Sequence, residues 1–160
     1  MLLGFAEYRR RLLAGDFSDL APYADQVEEW LQVGVFDDDH DALGEALTCA
    51  AFNGQTKLVE VLLDHGAGPD GGSLTGMSAL HWAANRGYAD TLDVLVAAGG
   101  DMEARNNYGG TVLGCTVWSA VHEPKPGQIE AARRLVQAGA DVTQTDYPTG
   151  IAELDAILEP

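Results

Sequence analysis

A pattern of residues returns after 33 positions along much of this chain, and that spacing restricts the fold more than any other feature. Moving Gly76-Met-Ser-Ala-Leu-His-Trp-Ala-Ala-Asn-Arg-Gly87 by 33 places Leu80 on Leu47 behind it and on Leu113 ahead of it. Ala83 and Ala84 fall on Ala50 and Ala51, Gly87 on Gly54, Leu95 on Leu62, and Gly99 on Gly66. A third copy starts at Tyr108-Gly-Gly-Thr-Val-Leu, and its second half is displaced by seven residues, so that its closing glycine is Gly139. The extra residues fall around His122-Glu-Pro-Lys-Pro-Gly127, a stretch whose prolines stop a helix. A period of this length marks a stack of small units, each burying its apolar face against its neighbours.

The residues within one period describe two helices. Ala50-Ala51 and Ala83-Ala84 put small side chains where helices must approach closely, and overpacking such a place costs about 1–3 kcal/mol. Leu58, Val59, Leu62 and Leu63 form a helical stripe, which Leu92, Leu95 and Val96 repeat. A glycine follows each helix, the usual stop signal.

With that period, Ser78-Ala-Leu-His-Trp-Ala resembles the ankyrin signature Thr-Pro-Leu-His-x-Ala. The tails Leu62-Leu-Asp-His-Gly-Ala, Leu95-Val-Ala-Ala-Gly-Gly-Asp and Leu135-Val-Gln-Ala-Gly-Ala-Asp resemble the family's Leu-Leu-x-x-Gly-Ala-Asp. The signature proline is replaced by Ala46, Ala79 and Val112, and the signature histidine remains only as His81, with Thr48 and Gly114 in the other copies. The resemblance implies an all-α ankyrin-repeat solenoid of helix pairs with β-turn or hairpin tips. The units are 40–72, 73–105 and 106–145, with a degenerate first repeat over 1–39 and a C-terminal cap over 146–160.

It also implies a function: binding a protein partner through the concave face and the turn tips. The surface position after the paired alanines is Phe52, Asn85 and Trp118 in the three copies. Trp118 is expected to make contact, while Phe52 either does so or folds back on its neighbouring repeat. The tips are expected to add Asp38, Asp39, His40, Asp41, Met77, Arg105, Asn107 and Tyr108, with His122 beside the insertion. Trp82, one position past His81, is expected in the core, as are Cys49 and Cys115. Those cysteines occupy equivalent places two units apart, roughly 20 Å by helix spacing and too far for a disulfide. The seven extra residues are expected to be a tolerated surface loop whose deletion costs no more than about 1 kcal/mol.

Composition narrows the partner. The 160 residues carry 25 acidic and nine basic side chains, a formal net charge of −16. Residues 1–45 alone hold eleven acidic and three basic ones. Such a field repels nucleic acid and anionic membranes and favours a basic protein, whether an adaptor's ligand or a basic toxin or enzyme neutralised by an inhibitor. Apolar runs are too short to span a bilayer, and the N-terminal charges follow the apolar residues instead of preceding them. A cytoplasmic monomer without cofactor or metal is expected. His40 lies in Asp37-Asp-Asp-His-Asp, which lacks the alternating ligands, glycine and closing glutamate of a calcium loop. No nucleophile elbow, phosphate loop or His-Glu-x-x-His run is present, so no catalytic site is expected.

Overall fold

The computed structural model describes residues 4–159; Met1–Leu3, which begin the segment read for a leader, lie outside them. Nine α-helices follow in order: α1 Phe5–Leu13, α2 Ala24–Gln32, α3 His40–Phe52, α4 Thr56–Asp64, α5 Ala79–Asn85, α6 Ala89–Ala97, α7 Val112–His122, α8 Gln128–Gln137 and α9 Ala152–Leu158. Short 3-10 turns occupy Phe17–Tyr23 and Val142–Gln144, and the described residues contain no strand. No helix among them is long and apolar enough to cross a membrane.

Helices α3/α4, α5/α6 and α7/α8 form pairs that pack in series. One row, α1, α3, α5 and α7, forms the inner side, while α2, α4, α6 and α8 form the outer side. The alanines allow this: Ala46, Ala50, Ala51, Ala79, Ala83 and Ala84 are all buried between helices. Leu47, Leu80 and Leu113 fill the spaces between inner helices, and Leu62, Leu95 and Leu135 do so on the outer side. Losing one such leucine to alanine typically costs about 2–5 kcal/mol.

Rings and carboxylates close the ends. Phe5 meets Trp30 and Phe36 edge-on at 5.4 and 5.0 Å, and Tyr8 lies 5.0 Å from Trp30. At the other end α9 packs on α8, joined by Arg133 to Glu153 at 2.9 Å. Arg134 binds Asp93, Asp90 and Glu130, tying α8 to α6 along the outer face.

One expectation needs correction. Residues 38–41 do not form a turn tip like the later ones. Asp39 is the N-cap of α3, accepting from the Ala42 amide at 3.1 Å, and His40 and Asp41 begin that helix. The segment has no glycine to turn the chain, and Arg9 holds Asp39 as an ion pair, so the helix starts ahead of the aligned position, Ala46.

Residues 121–127 are exposed, as expected of an inserted surface segment, but only part of the stretch is loop. Val121 and His122 complete α7, which runs one turn beyond the aligned end of α5. The rest is anchored by the buried Gln128. Its Nε2 donates to the Asn85 carbonyl at 2.6 Å and to Ser119 Oγ at 2.9 Å, and its Oε1 accepts from the Lys125 amide at 2.7 Å. Only the bond to Lys125 lies within 121–127, and thermal unfolding of a chain lacking those residues measures its weight: a loss above about 1 kcal/mol would show that the segment is structural.

Candidate functional site

The signature position links each inner helix to the next tip, in a different way in each unit. His81 is buried, with Nδ1 against Ser78 Oγ at 2.8 Å in a capping box and Nε2 against the Gly110 carbonyl at 3.1 Å. Thr48 Oγ1 accepts from the Gly72 amide at 2.8 Å. At Gly114 the missing side chain lets the Gln144 carbonyl approach to where a Cβ would sit at 2.8 Å. Adjacent tips are also joined directly, the Asn107 amide donating to the Gly76 carbonyl at 3.1 Å.

Burial pushes the His81 pKa below its ordinary value, so the folded chain resists a proton that the unfolded chain accepts. Its contribution is complete above the ordinary histidine pKa, near 6.5, and is lost as pH falls through that value towards the folded one. Glu45 acts in the opposite sense. Its Oε1 accepts from the Leu74 amide at 2.9 Å, its Oε2 has no partner, and burial raises its pKa. Thermal unfolding of wild type and His81→Gln at pH 7.5 and 5.5 separates the two. The stability gap between the proteins should narrow at the lower pH; a constant gap would exclude His81 as its source.

Aligned positions show how a groove arises on the inner face. Between α3 and α5, the Phe52 ring lies 4.9 Å from Trp82 and 5.7 Å from Phe17, with the Arg86 guanidinium 4.0 Å above it. Phe52 is thus half-buried under neighbouring rings, and Trp82 is half-buried with its indole N–H donating to Thr75 Oγ1 at 3.1 Å. One unit later Asn85 stands in the place of Phe52 and Cys115 in the place of Trp82. Two bulky rings are exchanged for an amide and a thiol, and the space opens as a groove of about 700 Å³.

The groove is lined by Met77, Asn85, Asn106, Tyr108, Gly110, Gly114, Cys115, Trp118, Ser119, Glu123, Gln144 and Asp146. Of the residues expected at a partner site, the structure brings Met77, Asn85, Tyr108 and Trp118 together here. Tyr108 is 94% exposed and Trp118 48% exposed, with His122 stacked on the Trp118 ring at 4.6 Å. Arg105 sits on the neighbouring tip, donating to the Gly109 carbonyl at 2.7 Å and to Gln144 Oε1 at 2.9 Å. Asn107 packs on Gly76. Asp38, Asp39, His40 and Asp41 lie at the start of α3 and do not line the groove.

Several lining residues carried no expectation of a site. Asn106 shapes the tip, its Oδ1 accepting from the Tyr108 and Gly110 amides at 3.0 Å and its Nδ2 reaching Cys115 Sγ at 3.1 Å. Cys115 is half-buried in the groove wall instead of in the core. Glu123 and Asp146 come from the insertion and the cap, where the 33-residue period gives no guide. Burial raises the Cys115 thiol pKa, and that of Cys49 is pushed up to about 12, so neither is an activated thiolate. Among the described residues no three His, Cys, Asp or Glu side chains gather as a metal set.

Comparison with known proteins gives the family. The model described as "Ankyrin repeats (3 copies)" matches residues 23–106 and 47–146. Inactive serine/threonine-protein kinase TEX14 of Bos taurus is 39% identical over 85 residues, 52% of this chain and 6% of that protein. Ankyrin repeat and KH domain-containing protein mask-1 of Caenorhabditis elegans is 41% identical over 59 residues, 37% of this chain and 2% of that one. Protein PhlB of Serratia liquefaciens is 40% identical over 100 residues, 62% of this chain and 41% of that protein. The chain thus spans less than half the length of each of these relatives. With matched segments that together run from residue 23 to 146 and inner and outer helices stacked in series, this chain belongs to the ankyrin-repeat family.

Proposed function

We propose that this protein is a non-catalytic interaction module that holds a protein partner in the groove between α5 and α7. Ankyrin repeats are protein–protein interaction modules, and one observation supports this groove as the place for the partner. The space that Phe52 and Trp82 fill between the earlier units is open between the later ones and flanked by the exposed Tyr108 and Trp118. Exposed aromatics around a concavity are the residues that carry binding energy at interfaces. Docking of a partner as an adaptor is the first reading. Neutralisation of a basic toxin or enzyme is the second, favoured by the net charge of −16.

Affinity capture from an extract of the native cells tests the site. Trp118→Ala should weaken retention of the partner at least about tenfold, as expected for an interface anchor. Cys115→Trp should do the same by restoring the ring that fills the equivalent space at Trp82, while circular dichroism shows the helices intact. Undiminished capture by both variants would place the partner elsewhere. A captured enzyme whose own activity is blocked on binding would favour neutralisation.

A further inference from the structure

We propose that the groove accepts an extended protein segment that lays a lysine or arginine side chain against the Tyr108 and Trp118 rings, with Glu123 and Asp146 balancing its charge. This rests on the reading of the groove as the partner site and adds the chemistry of the occupant. A volume of about 700 Å³ takes a short stretch of chain, not one side chain alone.

The wall chooses the sign of charge. Its lining includes two carboxylates, Glu123 and Asp146, both exposed, and no lysine, arginine or histidine. Neither carboxylate is in an ion pair among the described residues. The nearby Arg105 donates to two neutral acceptors at the rim, the Gly109 carbonyl and Gln144 Oε1, so its charge offsets part of that of the two carboxylates. An indole and a phenol attract a cation through their ring faces, tryptophan most strongly. One face of Trp118 is covered by His122, so its other face and edge are what remain for a ligand. The polar lining from Asn85 and Gln144 suits the amide groups of an extended backbone.

The remainder of the molecule supports the same choice. Arg9, Arg10, Arg11, Arg133 and Arg134 are in ion pairs with the protein's own carboxylates, and Arg86 covers the Phe52 ring. Most of the nine basic side chains are therefore committed internally, and the surface that a partner meets is predominantly acidic. A segment with aspartate or glutamate at the groove would face both repulsion from Glu123 and Asp146 and the field of the whole chain.

The test uses the full chain with three probes: acetyl-Gly-Arg-Gly amide, its citrulline counterpart, and acetyl-Gly-Glu-Gly amide. Citrulline keeps the size and most hydrogen bonds of arginine but carries no charge. The protein has three tryptophans, so three indole N–H signals report by nuclear magnetic resonance, with Trp30 and Trp82 as internal controls and Trp118→Phe as the assignment variant. The arginine peptide should shift the Trp118 signal saturably, at least about fivefold more tightly than citrulline, and the glutamate peptide should not shift it. Affinity should drop severalfold in Glu123→Gln/Asp146→Asn and on raising salt from about 20 to about 500 mM.

Equal binding of the citrulline peptide, or the absence of a saturable shift at Trp118, would overturn the cationic occupant. If partner capture still depends on Trp118 and on an open Cys115 position, the groove survives and only its chemistry is wrong. If Trp118→Ala and Cys115→Trp capture the partner normally, the groove reading itself fails.

Discussion

Gly87→Ala should destabilise the fold by about 4 kcal/mol, although it adds a single methyl group. Gly87 closes α5 at φ +77°, where a Cβ costs about 1–2 kcal/mol against the backbone alone. The added carbon would also overlap the Pro126 carbonyl and lie 2.8 Å from the Gly127 carbonyl carbon. Those are backbone atoms and cannot rotate away, so the segment before α8 has to lift. Lifting it draws Gln128 from Asn85 and Ser119, at about 1 kcal/mol for each hydrogen bond. Gly66→Ala provides the comparison: its φ is +91°, but a Cβ there meets nothing within 4 Å. Denaturant unfolding should show a loss of about 1–2 kcal/mol at Gly66 and clearly more at Gly87. Equal losses would mean that the contact with Pro126 has no energetic weight.

Gln128→Ala should cost about 3 kcal/mol. Three groups lose their partner at once: the Asn85 carbonyl, Ser119 Oγ and the Lys125 amide. The Ser119 bond is buried and the Asn85 bond partly so, and a buried polar group left unpaired carries its desolvation penalty. Gln128→Glu should be no milder, because a carboxylate cannot donate to the Asn85 carbonyl and its charge would be buried. Thermal unfolding by circular dichroism measures both. A loss below about 1 kcal/mol for the alanine variant would show that Pro124 and Pro126 alone hold the loop.

The helices were legible because their information is periodic and local. Paired alanines, a leucine stripe and a closing glycine recur at one spacing, and the structure forms helices where they recur. The start of α3 was not, because a cluster of four aspartates and a histidine suggests a turn by composition, while Asp39 is committed to capping a helix and pairing with Arg9. The loop at 123–127 was placed correctly in the chain, but what holds it was hidden. Gln128 looks like an ordinary polar residue at a helix start until its three partners are known.

The candidate groove was legible in part. Trp118 and Tyr108 stood out as aromatics at surface positions, but exposure depends on what the next unit brings. Phe52 sits at the same repeat position as Trp118 and is covered because Trp82 follows it. The change from the pair Phe52/Trp82 to the pair Asn85/Cys115 marks the opening in the sequence itself. Cys115 conceals it, because its alignment with the buried Cys49 suggests a core position.

The links between adjacent units bear on how rigid the groove is. At one edge of the stack the Asn107 amide is tied to Gly76, and at the other the backbone at Gly127 is seated on Gly87. A hinge needs one free edge about which to open. Pinned along both, the second and third units cannot swing apart without breaking one seam. The width between α5 and α7 is therefore set before any ligand arrives. The proposed segment would meet a preorganised cleft, leaving the main entropic cost of binding to the incoming chain.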